Sequence, residues 1–178
     1  QASRLTIILN GNPQASFLQT RQILTVPQCQ NLVEVLNKIA PSRIFDFKVD
    51  ISRKELIDII GRDAVARCER VYPGKYNRVR LRRCSAHGKH INFHTDHANK
   101  TMQIALNEDY VGGKLVYVTS KGFHITKRKS GTATIHSNDI VHGVSTLWSG
   151  VRYGLFFLEL PISNAMSTDF PSRKLMQK

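Results

Sequence analysis

The chain has 178 residues and an apolar share of 41%, which is enough for one domain with a real core. A net charge of +13, from 26 Lys and Arg against 13 Asp and Glu, points to an acidic partner or a solvated basic face. No run approaches the length of a membrane span, and Cys29, Cys68 and Cys84 lack C-x-x-C spacing, which argues against a disulfide framework or a zinc-thiolate site.

These thiols favour a reducing intracellular compartment, cytoplasm or nucleus. Gln1 stands where a Met would begin a chain, with no basic-then-apolar leader, so a processed or excised piece is expected. The charge is uneven. From Arg70 to Lys100 eight bases meet only Asp96, and from Lys114 to Lys129 five bases meet no acid.

In chain order, Arg4 to Leu9 reads as a strand, 10–13 as a turn, and Gln22 to Val26 as a second strand. Pro27 opens a helix to about Ala40, because Leu32, Val33, Leu36 and Ile39 recur at helical spacing. Ile44 to Ile51 alternates as a half-exposed strand. Ser52 with Glu55 forms a capping box for a helix whose stripe runs toward Arg70 and which Gly61 splits. From Asn77 eight short strands follow, at 78–84, 91–96, 101–107, 114–119, 123–126, 132–136, 140–145 and 151–160, which implies a sandwich or barrel. Ser163 to Lys178 reads as a tail.

Two residues apart on a strand, His94 and Asp96 leave the backbone on one side and can face one ion. His142, from a distant strand, would complete a 2-His-1-carboxylate face of the kind that holds Fe(II) and leaves positions open. Ser149-Gly150 predicts a turn that puts Arg152 on the neighbouring strand, where its planar fork suits a carboxylate. His87, His90 and His97 fall in a loop and are read as solvated; His124 and His136 are read as hydrogen-bonded strand residues.

With these residues goes an ordered series: Leu106-Asn107, Gly112-Gly113-Lys114-Leu115, Lys129-Ser130-Gly131-Thr132, His142-Gly143-Val144 and Gly150-Val151-Arg152. Residues 76–160 thereby resemble the 2-oxoglutarate- and Fe(II)-dependent dioxygenases, and within them the prolyl-4-hydroxylase-like branch. The resemblance implies an α+β, mainly β chain, a double-stranded β-helix (jelly roll) with N-terminal helices packed on one sheet. It implies one domain over 1–162, with helical support at about 22–72 and a β-helix core at about 76–160.

It also implies a hydroxylase of protein or peptide side chains, with Fe(II) on His94, Asp96 and His142, 2-oxoglutarate on Arg152, and ascorbate as reductant. Relatives often carry a mouth-facing Tyr ten residues before the first His, where this chain has Cys84; the same parity turns Arg80 and Arg82 toward the mouth, as contacts for an acidic substrate. The other reading of that strand is a charge-protected edge. A Pro four after the distal His in relatives is Thr146 here; a Tyr that some relatives carry three residues before Asn107 is Ile104, so a different hydroxyl is the expected assistant of Arg152. The charge keeps open an oxygenase acting on nucleic acid, although the second Arg usual in demethylases is missing until Arg173. A non-catalytic β-helix that binds a partner and a zinc hydrolase with the same ligands are the remaining alternatives.

Overall fold

The computed structural model describes residues 17–161; the strand expected at 4–9, the turn at 10–13 and the tail at 163–178 lie outside them. β1 (Phe17–Gln22) leads into α1 (Val26–Ile39), β2 (Asp46–Ile51), α2 (Arg53–Ile60) and α3 (Arg62–Val71). Ten strands follow: β3 (Arg78–Ser85), β4 (Ile91–His94), β5 (Lys100–Ala105), β6 (Val111–Gly112), β7 (Leu115–Thr119), β8 (Gly122–Ile125), β9 (Thr132–Ser137), β10 (His142–Val144), β11 (Leu147–Ser149) and β12 (Val151–Glu159). They form a six-stranded sheet in the order β1-β9-β5-β12-β3-β2, a four-stranded sheet β4-β10-β7-β8 and a two-stranded ribbon β11-β6. Every pairing is antiparallel. No helix among the described residues is long and apolar enough to cross a membrane.

The helices begin where their caps dictate. Thr25 Oγ1 accepts from Gln28 N while Gln28 Oε1 accepts from Thr25 N at 3.0 Å, and Pro27 sits in the first turn. This capping displaces the strand expected over 22–26. Ile23 and Leu24 leave the sheet, and both their N–H groups donate to Gly131 O, at 2.8 and 3.3 Å. Ser52 and Glu55 form the second capping box, and Gly61, at φ 88°, ends α2 and starts α3.

One face of the large sheet meets these helices. Val79, Leu81, Met102, Ile104, Leu155 and Phe157 pack with Leu32, Leu36, Leu56, Val65 and Cys68 in a core that excludes water. Because side chains alternate, the opposite face carries Arg80, Arg82, Cys84, Gln103, His136 and Arg152. A shift of one residue would turn arginines into the helical core, so the apolar face holds the polar one in register. β3 is not an edge: β2 pairs along it from Asp46 opposite Cys84 to Ile51 opposite Val79. The charges on it therefore have another purpose than edge protection.

Gly131 joins the two halves. It has φ +80°, its N–H donates to Ala105 O at 2.7 Å, and a Cβ there would lie 2.0 Å from Leu24 O. Gly131→Ala is expected to cost about 3 kcal/mol or more, from the left-handed backbone and the steric overlap together, read as a fall in the urea midpoint with an unchanged slope.

Candidate metal centre

β10 sets His142 opposite His94 on β4 and opposite Tyr117 on β7, so three side chains of the small sheet point into the sandwich. Asp96 follows just beyond the end of β4. Its Oδ1 lies 3.5 Å from His94 Nε2 and 3.5 Å from His142 Nε2, and the three ligand atoms fall within 4.8 Å of one another.

The hydrogen bonds fix which atoms face inward. His94 Nδ1 is 2.8 Å from Asn92 O and His142 Nδ1 is 3.3 Å from Ile140 O. A carbonyl only accepts, so both Nδ1 atoms carry hydrogen, and the neutral rings turn bare Nε2 lone pairs toward Asp96 Oδ1. Three acceptors converging on one point repel unless a cation lies between them. That donor set, two imidazoles and a carboxylate, fits a divalent iron.

Asp96 Oδ2 is occupied elsewhere. It accepts from Thr101 Oγ1 at 2.6 Å and from His136 Nε2 at 3.1 Å, while His136 Nδ1 accepts from the Tyr117 hydroxyl at 2.8 Å. Burial pushes the Asp96 carboxyl up, but the hydrogen bonds from His136 and Thr101 and the neighbouring imidazoles of His94 and His142 outweigh it and hold it well below the usual carboxylate range. Burial, joined by the charge of Asp96, pushes the Tyr117 phenol up to about 12. His136, expected as an ordinary strand histidine, is thus a hydrogen-bonded strand residue whose partner is the central carboxylate.

The centre lies in a cavity of about 510 Å³ whose lining includes Asp96, Gln103, His142, Arg152, Phe156 and Leu158. Arg152 is 6% exposed, and its Nε is enclosed without a hydrogen-bond partner. Asn107 holds it in place: Nδ2 donates to Val151 O at 2.7 Å and Oδ1 accepts from Tyr153 N at 2.9 Å, bracketing Arg152. Gly113 leaves room for it, since a Cβ there would sit 3.4 Å from both Arg152 Cδ and Tyr110 Cε2.

Arg80 and Arg82 line the same cavity, as the strand parity predicts, and both already have carboxylate partners. Arg80 grips Asp50 at 2.6 and 3.1 Å, and Arg82 grips Asp46 at 2.7 and 2.9 Å. Cys84 lies in register with Arg152, beside a recess lined also by Arg82 and Phe156. Ile104 is in the helical core, so the expected tyrosine position does not face the cavity. His90 lines the cavity with Asn92, His97 is exposed, and His87 is half-buried and stacked on Phe45 at 4.8 Å. Gln103, Tyr110 and Arg128 were missed in the sequence because no motif marks them.

Burial, then the charge of His136, lowers His142 from 6.5 to about 4. The unfolded chain therefore takes up a proton that the folded metal-free protein refuses, and stability present above pH 6.5 is lost as pH falls toward 4. His94, raised by Asp96, acts with the opposite sign, its stabilisation fading as pH rises. Urea unfolding of the metal-free protein at pH 7.5 and 4 is expected to show a loss of roughly 2–3 kcal/mol that His142→Gln lacks.

No family model matches the sequence, and no curated protein matches it. Solved structures do. A prolyl-4-hydroxylase of Pseudomonas putida matches at TM-score 0.61 and 15% identity, over 90% of this chain and 98% of that one. HygX of Streptomyces hygroscopicus, solved with nickel and 2-oxoglutarate bound, matches at TM-score 0.62 and 11% identity, over 91% and 87%. A prolyl hydroxylase of Trichoplax adhaerens, solved with a peptide fragment of the hypoxia inducible factor oxygen degradation domain, matches at TM-score 0.60 and 14% identity, over 92% and 90%. The chain has the jelly-roll fold of the 2-oxoglutarate- and Fe(II)-dependent oxygenases in the form that prolyl hydroxylases share.

Proposed function

We propose that the chain is an Fe(II)/2-oxoglutarate-dependent dioxygenase that hydroxylates a protein or peptide side chain. The observation that carries this reading is the pairing, in one cavity, of three convergent acceptor atoms with a buried guanidinium that no carboxylate of the described residues neutralises. Iron and cosubstrate, when bound, would supply the oxidation, with one oxygen atom entering the substrate and the other the succinate left when 2-oxoglutarate loses carbon dioxide.

The chain's own part is binding and orientation. His94 and His142 offer Nε2 and Asp96 offers Oδ1, while Thr101 and His136 occupy Oδ2 and so keep the carboxylate turned one way. Arg152, charged and enclosed, offers a fork to the far carboxylate of a dicarboxylic acid. The helical core behind the large sheet fixes the strands that carry Thr101, His136 and Arg152.

The Trichoplax relative was solved with a peptide fragment, and the cavity suits such a ligand. Phe156 and Leu158 give it apolar lining, and its arginines Arg80 and Arg82 already spend their forks on Asp50 and Asp46. Forks so occupied are poor phosphate clamps, which favours peptide over nucleic acid as substrate. A segment carrying charges of both signs would meet partners on this wall, and acidic residues would be drawn by the surplus of bases. Ascorbate is the expected reductant, and three free thiols suit a reducing intracellular compartment.

Succinate formation from 2-oxoglutarate in air, with Fe(II) and ascorbate and no added substrate, tests the class. Slow uncoupled turnover is expected in the wild type and none in His142→Ala. Arg152→Ala is expected to raise the 2-oxoglutarate requirement roughly 10- to 100-fold, the worth of a charge-assisted pair. His136→Phe is expected to weaken Co(II) binding by about 10- to 100-fold, followed by titration of the visible bands. Absence of both turnover and 2-oxoglutarate binding in the metal-loaded wild type would overturn the reading in favour of a partner-binding module.

A further inference from the structure

Arg128 lies between β8 and β9, outside every motif of the sequence. Its Nη1 donates to Gln103 Oε1 at 3.1 Å, and its Nε is enclosed without a partner, as is Nε of Arg152. Arg128 and Arg152 line one narrow recess of about 10 Å³ with Arg82, Cys84, Tyr153, Gly154 and Phe156; it shares Arg82, Arg152 and Phe156 with the main cavity, so an anion held by both would sit at the cavity end of this recess. The Tyr110 phenol lies against both. Of the three arginines in the recess, Arg82 alone pairs with a carboxylate of the described residues, Asp46.

Two arginines, Arg152 buried and Arg128 half-buried, that line one recess with no carboxylate among the described residues repel each other. Burial pulls both below their ordinary values, Arg152 to about 10, and the charge of Arg128 contributes second at Arg152. At neutral pH both stay charged, so their repulsion persists in the empty protein. Structural arginines in folded proteins are paired with carboxylates or carbonyls, and this chain pairs Arg53, Arg80 and Arg82 in that way. Arg128 and Arg152, whose Nε atoms lack a partner and which meet no carboxylate among the described residues, are poised for an anion from outside.

We propose that Arg128 is a second arm of the cosubstrate clamp, so that the distal carboxylate of a dicarboxylic acid is held between the guanidinium groups of Arg128 and Arg152. This rests on the oxygenase reading for the identity of the acid but not for the anion site itself. Gln103 fixes Arg128, and Tyr110 supplies the hydroxyl beside the carboxylate that the sequence left unassigned. Neutralising either arm removes a repulsion from the empty protein and an attraction from the bound one. The two effects have opposite signs, which a merely structural arginine does not produce.

The probe is glutarate, which has the two carboxylates of 2-oxoglutarate without the keto group and so does not need the metal. In the metal-free protein glutarate is expected to raise the melting temperature in a saturable way. In Arg128→Gln the unliganded protein is expected to melt no lower than wild type, and the glutarate shift is expected to be lost. With metal, Arg128→Gln should raise KM for 2-oxoglutarate roughly tenfold or more while Co(II) affinity holds, and Arg128→Lys should fall between. An unaltered glutarate shift and KM in Arg128→Gln would overturn the proposal, as would loss of fold in that variant, which would make Arg128 a structural strut. A glutarate shift that needs Arg128 in a protein with no succinate formation would instead keep the anion site and sink the oxygenase reading.

Discussion

The antiparallel register that sets His142 opposite His94 is the constraint from which the centre follows. It brings two imidazoles to a ring-centroid distance of 4.5 Å, and the chain needs only two further residues to bring Asp96 between them. Short strands cannot hold such a register alone, since β4 has four residues and β10 three. The stiffness comes from beyond them. β7 backs β10, Tyr117 reaches across to His136 on the large sheet, and His136 reaches Asp96. The two sheets are thus joined through the carboxylate that both histidines face.

A sandwich usually fills its interior with apolar side chains. Here the larger apolar cluster lies on the outer face of the large sheet, under the helices, and the cavity between the sheets mixes Arg, Gln, Thr, His and Asp with a few apolar side chains such as Leu115, Phe156 and Leu158. Such an interior contributes little hydrophobic stability and costs desolvation. The helical layer offsets that cost. It is the reason the fold requires α1 to α3 behind the sheet, although none of their residues lines the cavity.

Periodicity made most of this legible. Val79 and Leu81 alternating with Arg80 and Arg82 marked the two faces of β3, Ser52 and Glu55 marked a helix start, and His94, Asp96, His142 and Arg152 stood at spacings that strands bring together. What stayed hidden depends on strand order. Nothing in the sequence says that β2 lies beside β3, so the pairing of Arg80 with Asp50 and Arg82 with Asp46 could not be read, nor could the interior place of β3. Residues 22–26 have strand-like composition, but the Thr25 cap and the carbonyl of Gly131 compete for their backbone and win. β6 and β11, of two and three residues, are too short to show any period. Arg128 sits in a basic run, Lys127-Arg128-Lys129, where one half-buried arginine looks like its exposed neighbours.

That run shows why net charge is a poor guide to this chain. Among the described residues most Lys and Arg are solvent-facing, and their charges are screened within about 8 Å at physiological salt. Arg152 is buried and Arg128 half-buried, each with an enclosed Nε, where screening is weaker than at the surface. Arg80 and Arg82, which dominate the basic strand in the sequence, are largely cancelled by aspartates on the next strand. The sign of a site follows from which charges lack partners rather than from how many there are. By that measure the cavity has two unmet demands, a cation among His94, Asp96 and His142 and an anion beside Arg152 and Arg128, and a metal chelated by a dicarboxylate satisfies both at once.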